Sequence, residues 1–398
     1  MSKKGKVVVG LSGGVDSSVA AKLLLDEGYE VVGAFMLNWD DTRYLKTDEM
    51  HWVKDSEDAR QVARQLGIPF HVFDFREKYY QRVIEYMFRE YESGRTPNPD
   101  ILCNREVKFD LFWEEARKYG ADYVATGHYA RKDSTEKNGR KIYRLLAGKD
   151  PKKDQSYFLC QLNQEQLKHA LFPVGELHKP EVRKIAAEAG LVTATKKDSQ
   201  GLCFVGKVNL PDFLRQQLEP KTGDIIYIPL SYYDALPKPE MFSSERERLE
   251  YMARKYEYQP EDGRVVGKHQ GAHYFTIGQR KGLNVGGFKQ RTFVIGTDTR
   301  KNIVYIGEHY THPGLYRQAL KIPHSDTHWI REDMKLKPGE QMRVKVRIRH
   351  QQPLQDATLH QFEDVLFVAF DKPQQGVAQG QFAAWYSDDE LIGSGVID

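Results

Sequence analysis

At 398 residues the chain is too long for one ordinary hydrophobic core and predicts two or three domains. Hydrophobic residues at 40% and aromatics at 12% suit packed globular domains and exclude long disorder. With 59 basic against 56 acidic side chains the net charge is only +3, so the chain is not a globally basic nucleic-acid binder, and any anion-binding surface must be local.

Two lysines lead straight into residues 6–10, which read as a short buried strand. No signal or transit peptide fits in that space, and no apolar run approaches the roughly 20 residues of a membrane helix. A cytoplasmic protein without membrane contact is expected. After the strand comes a Gly/Ser turn, Ser12-Gly13-Gly14-Val15-Asp16-Ser17-Ser18. Val19, Ala20, Leu23 and Leu24 then recur at helical spacing until Gly28. Residues 30–37 are the next strand. Ser56 and Glu57 open a helix that ends at Gly67, and residues 68–75 are again a strand. Helices are predicted over 77–92 and 109–119, with a strand over 121–126. This alternation means a parallel sheet with helices on both faces.

The pattern changes after about residue 205. Residues 231–262 are charged and aromatic, with a helical run over 243–256, and read as a solvated decoration. Residues 292–296 and 303–307 form a hairpin around Asp298 to Asn302, and 341–386 read as a β-meander or small barrel. The expected architecture is an α/β parallel-sheet domain (1–206), a small central mixed domain (207–311) and a C-terminal β-barrel-like domain (312–398).

The turn at residues 12–17 joins a strand to a helix, so it points backbone N–H groups and a helix N-terminus at an anion. It lacks the Gly-Lys-Ser/Thr of a Walker A loop and the G-x-G-x-x-G of a dinucleotide fold. The cysteines, Cys103, Cys160 and Cys203, are three and form no CxxC pair, which argues against zinc, iron–sulfur and disulfide frameworks. Cys160 sits in the apolar run Tyr157-Phe158-Leu159 and reads as a core thiol. Cys103 follows Pro97-Asn98-Pro99-Asp100, whose two prolines make 97–99 a rigid, non-helical element. A helix starting there would put Asp100 and Cys103 on one face, the acid/base beside the nucleophile, with Arg105 or Lys108 offsetting the carboxylate. Cys203 follows Lys196 and Lys197, whose charge would favour a thiolate, and lies by the turn-forming Gly201. His128, in Gly127-His128-Tyr129 after a strand end, is placed where open α/β sheets bind ligands. In Arg343-Val344-Lys345-Val346-Arg347-Ile348-Arg349, strict alternation puts Val344, Val346 and Ile348 on the core face and all four cations outward, a row suited to an anionic partner. The glycine-rich Arg280-Lys281 loop is a further candidate for that surface.

The string Ser12 to Ser17 resembles the SGGxDS loop of the PP-loop ATP pyrophosphatases, which holds the pyrophosphate of ATP. The Thr96–Lys108 segment, Ala125-Thr126-Gly127-His128-Tyr129, Lys153-Asp154-Gln155-Ser156-Tyr157, the Cys203 segment and Gly278-Gln279-Arg280-Lys281-Gly282 are, in their order, similar to the tRNA-specific 2-thiouridylase family. The resemblance covers nearly the whole chain. It implies ATP and Mg²⁺ as cofactors, with Gly10, Leu11, Ser12, Gly13, Gly14, Val15, Asp16, Ser17, Met36 and Gly127 contacting ATP and Asp16 helping to hold the metal or order the loop. It implies Cys103 as nucleophile, Cys203 as persulfide carrier and Asp100 as acid/base. Asn98, Pro99 and Asp100 would face the target base; His128, Lys153, Asp154, Gln155, Arg347, Ile348 and Gln381 would touch tRNA. The partners implied are a tRNA anticodon loop, read at its wobble uridine, and a persulfide sulfur-donor protein; a monomer is expected. Two departures stand out: the 231–262 insertion, and the lack of the extra cysteine the family often carries, since residues 38–55 contain none. The competing readings are another PP-loop ligase or thiolase, which would not need both Cys103 and Cys203, and an RNA-binding module with a relic loop, which would release no pyrophosphate.

Overall fold

The computed structural model describes residues 4–40, 51–198, 213–215, 217–237 and 241–398. Strands β1 (Lys6–Gly10), β2 (Glu30–Leu37), β3 (Phe70–Asp74) and β4 (Tyr123–Ala125) pair in parallel. A hairpin follows, β5 (Ala130–Lys137) and β6 (Arg140–Ala147), and then β7 (Ala170–Leu171), which completes the parallel sheet in the order β3-β2-β1-β4-β7. Helices cover both faces, so Val7, Val8 and Val9 are all fully buried, as a doubly covered parallel strand requires.

The helix before β3 spans His51–Leu66, starting ahead of the Ser56 signal. The helix through residues 99–118 starts ten residues before its predicted onset. Pro99 occupies its first turn, where a missing N–H costs nothing, and Asn98 caps it, its Oδ1 accepting from the Ile101 N–H at 3.3 Å. The middle of this helix, Cys103–Leu111, is wound as π-helix, and so is Tyr80–Ile84 in the preceding helix.

A four-stranded sheet follows, from β8 (Gly223–Tyr227), β9 (Arg264–His269), β10 (Thr292–Asp298) and β11 (Ile303–Glu308), in the order β10-β11-β8-β9. The expected β10–β11 hairpin is present. The C-terminal strands are β12 (Tyr316–Pro323), β13 (Thr327–Trp329), β14 (Gln341–Arg347), β15 (Gln355–Gln361), β16 (Val365–Gln375), β17 (Phe382–Ser387) and β18 (Glu390–Val396). They form a nine-stranded sheet together with β5 and β6, since β6 pairs with β18 through Leu145–Leu391 and Leu146–Glu390. The N-terminal part of the chain thus supplies two strands to the C-terminal sheet.

The 231–262 insertion is not a solvated decoration. Its helix, Glu245–Ala253, buries Leu249 completely against Val365 and Phe367, worth about 1.5–3 kcal/mol for a side chain of this size. Arg246 forks onto Asp364 at 2.9 and 2.8 Å. The insertion therefore straps the central sheet to the barrel-like sheet. Among the described residues no helix is long and apolar enough to cross a membrane.

Candidate active site

The turn after β1 is built to expose backbone. Gly13 has φ +71°, and a Cβ there would lie 2.3 Å from the Asp55 carbonyl oxygen, so only glycine fits. Gly14 is the N-cap of helix Val15–Asp26 and offers no side chain to its N–H groups, which leaves them to an anion. The serines brace the turn: the Ser12 N–H donates to Ser17 Oγ at 3.1 Å, and Ser17 Oγ donates to the Gly14 carbonyl at 3.1 Å. Leu11 and Val15 are buried beneath it. Two other predicted residues close around the turn. A Cβ on Gly10 would lie 2.9 Å from Met36 Cε, and one on Gly127 would lie 2.6 Å from the Ser17 nitrogen. Residues from β1, β2 and the end of β4 thus converge at the carboxyl edge of the sheet.

Asp16 is engaged. Its carboxylate accepts from Lys179 Nζ at 2.8 and 2.9 Å and from the Tyr129 hydroxyl at 2.7 Å. Lys179, which is buried, also reaches Asp198 Oδ1 at 2.8 Å. Asp198 is further held by Lys153 at 2.7 Å and Arg183 at 2.9 Å. Burial alone would raise the Asp198 carboxyl, but hydrogen bonds from Lys153 and Lys179 outweigh it and hold the pKa at about 2. The sequence reading missed Lys179 and Asp198. The available signal was a cation at the first position of helix Lys179–Glu188, where the helix dipole disfavours it unless an anion is near.

The cysteine helix lies in the same domain. Cys103 is fully buried, in the apolar cluster that also holds Met36, Trp39 and Phe112. Asp100 is half-buried one turn earlier, and its carbonyl accepts from Asn104 Nδ2 at 3.0 Å. Asn98 donates to Gln381 Oε1 at 3.2 Å, and Gln381 donates back to the Pro97 carbonyl at 3.3 Å. Two residues separately expected to meet RNA are therefore neighbours. Cys160 is the core thiol expected, its pKa pushed up to about 12 by burial. Arg105 is committed to Glu106 and Gln161 at 2.7 and 2.9 Å. Cys203 and its turn, residues 199–212, lie outside the described residues; Asp198 is the described residue nearest before them.

Several side chains are placed differently from expectation. Arg347 does not face outward with the other strand cations: it is 9% exposed and binds Asp154 at 3.0 Å. Asp154 is likewise turned inward, its second oxygen accepting from the Gly148 and Ser156 N–H groups at 2.9 and 3.0 Å. Alternation holds on either side of it, with Val344, Val346 and Ile348 inward and Arg343, Lys345 and Arg349 outward, and at Arg347 alone the Asp154 carboxylate draws the guanidinium in. Arg343 pairs with Asp371, while Lys345 and Arg349 are exposed. Lys196 does not lend its charge to Cys203, because Asp55, at 2.7 Å, and Asp58 take it. Gln155 binds the Tyr129 N–H at 3.0 Å, and Ile348 is buried. His128 is buried, paired with Thr126 Oγ1 at 2.7 Å; burial, with Lys108 nearby, holds it neutral, its pKa well below the usual range.

Family models match most of the chain: a tRNA methyl transferase HUP domain over residues 5–207, a tRNA methyl transferase PRC-barrel domain over 252–308 and an aminomethyltransferase β-barrel domain over 319–397. Full-length relatives carry a different activity in their names. The chain is 59% identical over 392 residues to tRNA-specific 2-thiouridylase MnmA of Christiangramia forsetii, covering 98% of this chain and 99% of that one. It is 58% identical, with the same coverage, to the enzyme of that name from Flavobacterium johnsoniae. The Karelsulcia muelleri enzyme is 45% identical, covering 99% of both chains.

Proposed function

Because the chain belongs to the tRNA-specific 2-thiouridylase family, we propose that it replaces O2 of the wobble uridine of tRNA with sulfur in an ATP-driven reaction. Uracil C2 carries no leaving group. Attack of O2 on the α-phosphorus of ATP expels pyrophosphate and leaves an adenylated oxygen that can depart as AMP. Cys103 as thiolate attacks the inner sulfur of a persulfide on Cys203, forming a Cys103–Cys203 disulfide and freeing hydrosulfide. Hydrosulfide adds to C2, AMP leaves, and a dithiol reductant restores both cysteines. Asp100 handles the proton beside Cys103, and Asn98 and Pro99 face the base, splayed from an anticodon loop that permits this at small cost. A separate persulfide-bearing protein recharges Cys203.

The observation that carries this reading is the exposed-backbone turn of Ser12 to Ser17, closed in by Gly10, Met36 and Gly127, in one domain with the Asn98-capped helix of Cys103. Mg²⁺ would neutralise phosphate charge. Among the described residues no cluster of three or more His, Cys, Asp or Glu could hold it, and the carboxylate at the turn is Asp16, which an ion would share with Lys179 and Tyr129. That fits an ion that binds substrate phosphates plus one or two carboxylates.

The test is to incubate unmodified tRNA with the protein, ATP, Mg²⁺ and a sulfide source, digest it and weigh the nucleosides. A uridine heavier by the sulfur-for-oxygen difference is expected, with pyrophosphate released in step. No mass change under conditions where tRNA is bound would sink the proposal.

A further inference from the structure

Asn38 is a buried polar side chain that the reaction above leaves unused. It follows directly on β2, is 1% exposed, and neither its amide oxygen nor its amide nitrogen has a hydrogen-bond partner. Burying both ends of an amide unpaired is costly, and a native chain keeps such a group where something else completes it.

Asn38 lines a cavity of about 680 Å³ at the carboxyl ends of β2 and β3, together with Trp39, Asp40, Asp74, Phe75 and Arg76. Of the charged groups there, Arg76 holds Asp74 at 2.9 and 2.6 Å and also reaches Asp40, while Glu77, Lys78 and Glu115 line the rest of the wall. Asn38 thus brings to this wall an unpaired amide, able to give one hydrogen bond and take another side by side.

Position narrows the ligand. The cavity opens two residues beyond Met36. β2 is the direct neighbour of β1, which carries the phosphate-binding turn, and β3 is the next strand. At one strand spacing each, the cavity lies roughly 5–10 Å across the sheet edge from the turn, the span a ribose bridges between phosphates and base. A side-chain amide matches adenine, donating through Nδ2 to a ring nitrogen and accepting through Oδ1 from the N6 amine. Guanine puts an acceptor where adenine has that amine.

We propose that Asn38 reads the amine-bearing edge of the adenine of ATP and sets nucleotide specificity. The inference rests on the ATP reading given above.

The experiment compares pyrophosphate release, with tRNA present, for ATP and for purine riboside triphosphate, which lacks the N6 amine. The native protein should prefer ATP by roughly 10- to 100-fold in kcat/KM, the usual worth of a paired amide–adenine contact. Asn38→Leu should bring the two nucleotides within about threefold and leave the KM for tRNA unchanged. Leu also removes the unpaired amide, so the ligand-free variant should melt no lower than the native protein. Should that variant not fold, Asn38→Ser carries the same comparison. An unchanged preference for ATP in the variant overturns the proposal. So does a raised tRNA KM with nucleotide preference intact, which assigns Asn38 to the target uracil instead. Absence of pyrophosphate release in the native protein would remove the ATP reading itself, a result distinct from either.

Discussion

Replacing Arg347 with Ala should be a stability lesion rather than an RNA-binding lesion. Its side chain is 10% exposed and that of Asp154 4%, and they meet at 3.0 Å. The guanidinium carbon lies 5.0 Å from the centre of the Tyr386 ring. Truncation leaves the Asp154 carboxylate buried with only the Gly148 and Ser156 N–H groups to balance it. Stranding one member of a buried pair costs about 3–5 kcal/mol, against a total of about 5–15 kcal/mol for a typical domain. Chemical denaturation should therefore show a large fall in midpoint. Arg347→Met combined with Asp154→Asn removes both charges and should recover much of the loss. Arg349→Ala is the contrast: exposed, it should leave the midpoint alone and lower the salt slope of tRNA binding by about one. If Arg347→Ala denatured like the native protein while its salt slope fell by one, the inward assignment of this side chain would be wrong.

Gly13→Ala forces a left-handed backbone on alanine and a Cβ into the Asp55 carbonyl, so pyrophosphate release should fall at least tenfold, an energy of only about 1.4 kcal/mol; native-like release would remove the turn from nucleotide binding. Cys103→Ser and Cys203→Ser should each abolish thiolation with tRNA binding intact, whereas Cys160→Ser should stay active with some loss of stability from a buried hydroxyl; after one turnover, peptide mapping should find a Cys103–Cys203 bridge, and a bridge to Cys160 would overturn the sulfur step. His128 is held neutral in the fold, so as pH drops through about 6.5 the unfolded chain takes up a proton that the folded chain refuses. Its share of stability is present above that pH and declines below it by about 1.4 kcal/mol per pH unit; His128→Phe should flatten the stability profile between pH 7 and 5, and an unchanged slope would contradict a neutral His128.

The nucleotide-binding half was legible because its signals are local. A strand, a turn with two glycines and a helix occupy consecutive residues, and β2 falls on the predicted 30–37. Asn98 and Gln381 were each singled out, but their contact joins positions 283 apart, which no local pattern encodes. The strand at 341–347 shows how local reading fails. Alternation assigns Arg347 to the outer face, and only Asp154, nearly two hundred residues earlier, turns it inward. The β5–β6 hairpin was overlooked despite a strong cue: Asn138-Gly139, with φ of +53° and +70°, forms the two-residue turn such a pair favours. Lys179 was missed because helix periodicity says nothing of a cation at a helix start.

That same hairpin has a consequence for biosynthesis. Arg144 on β6 binds Glu390 on β18, 246 residues later. A ribosome adding about 5–20 residues per second makes that interval roughly 10–50 s. For that time β6 has emerged while its partner has not been made, and its outer edge is open to whatever strand arrives first. Nascent chains stalled before residue 390 should be cut by protease within residues 130–147, and full-length chains should resist; equal protection would mean the hairpin docks without its partner.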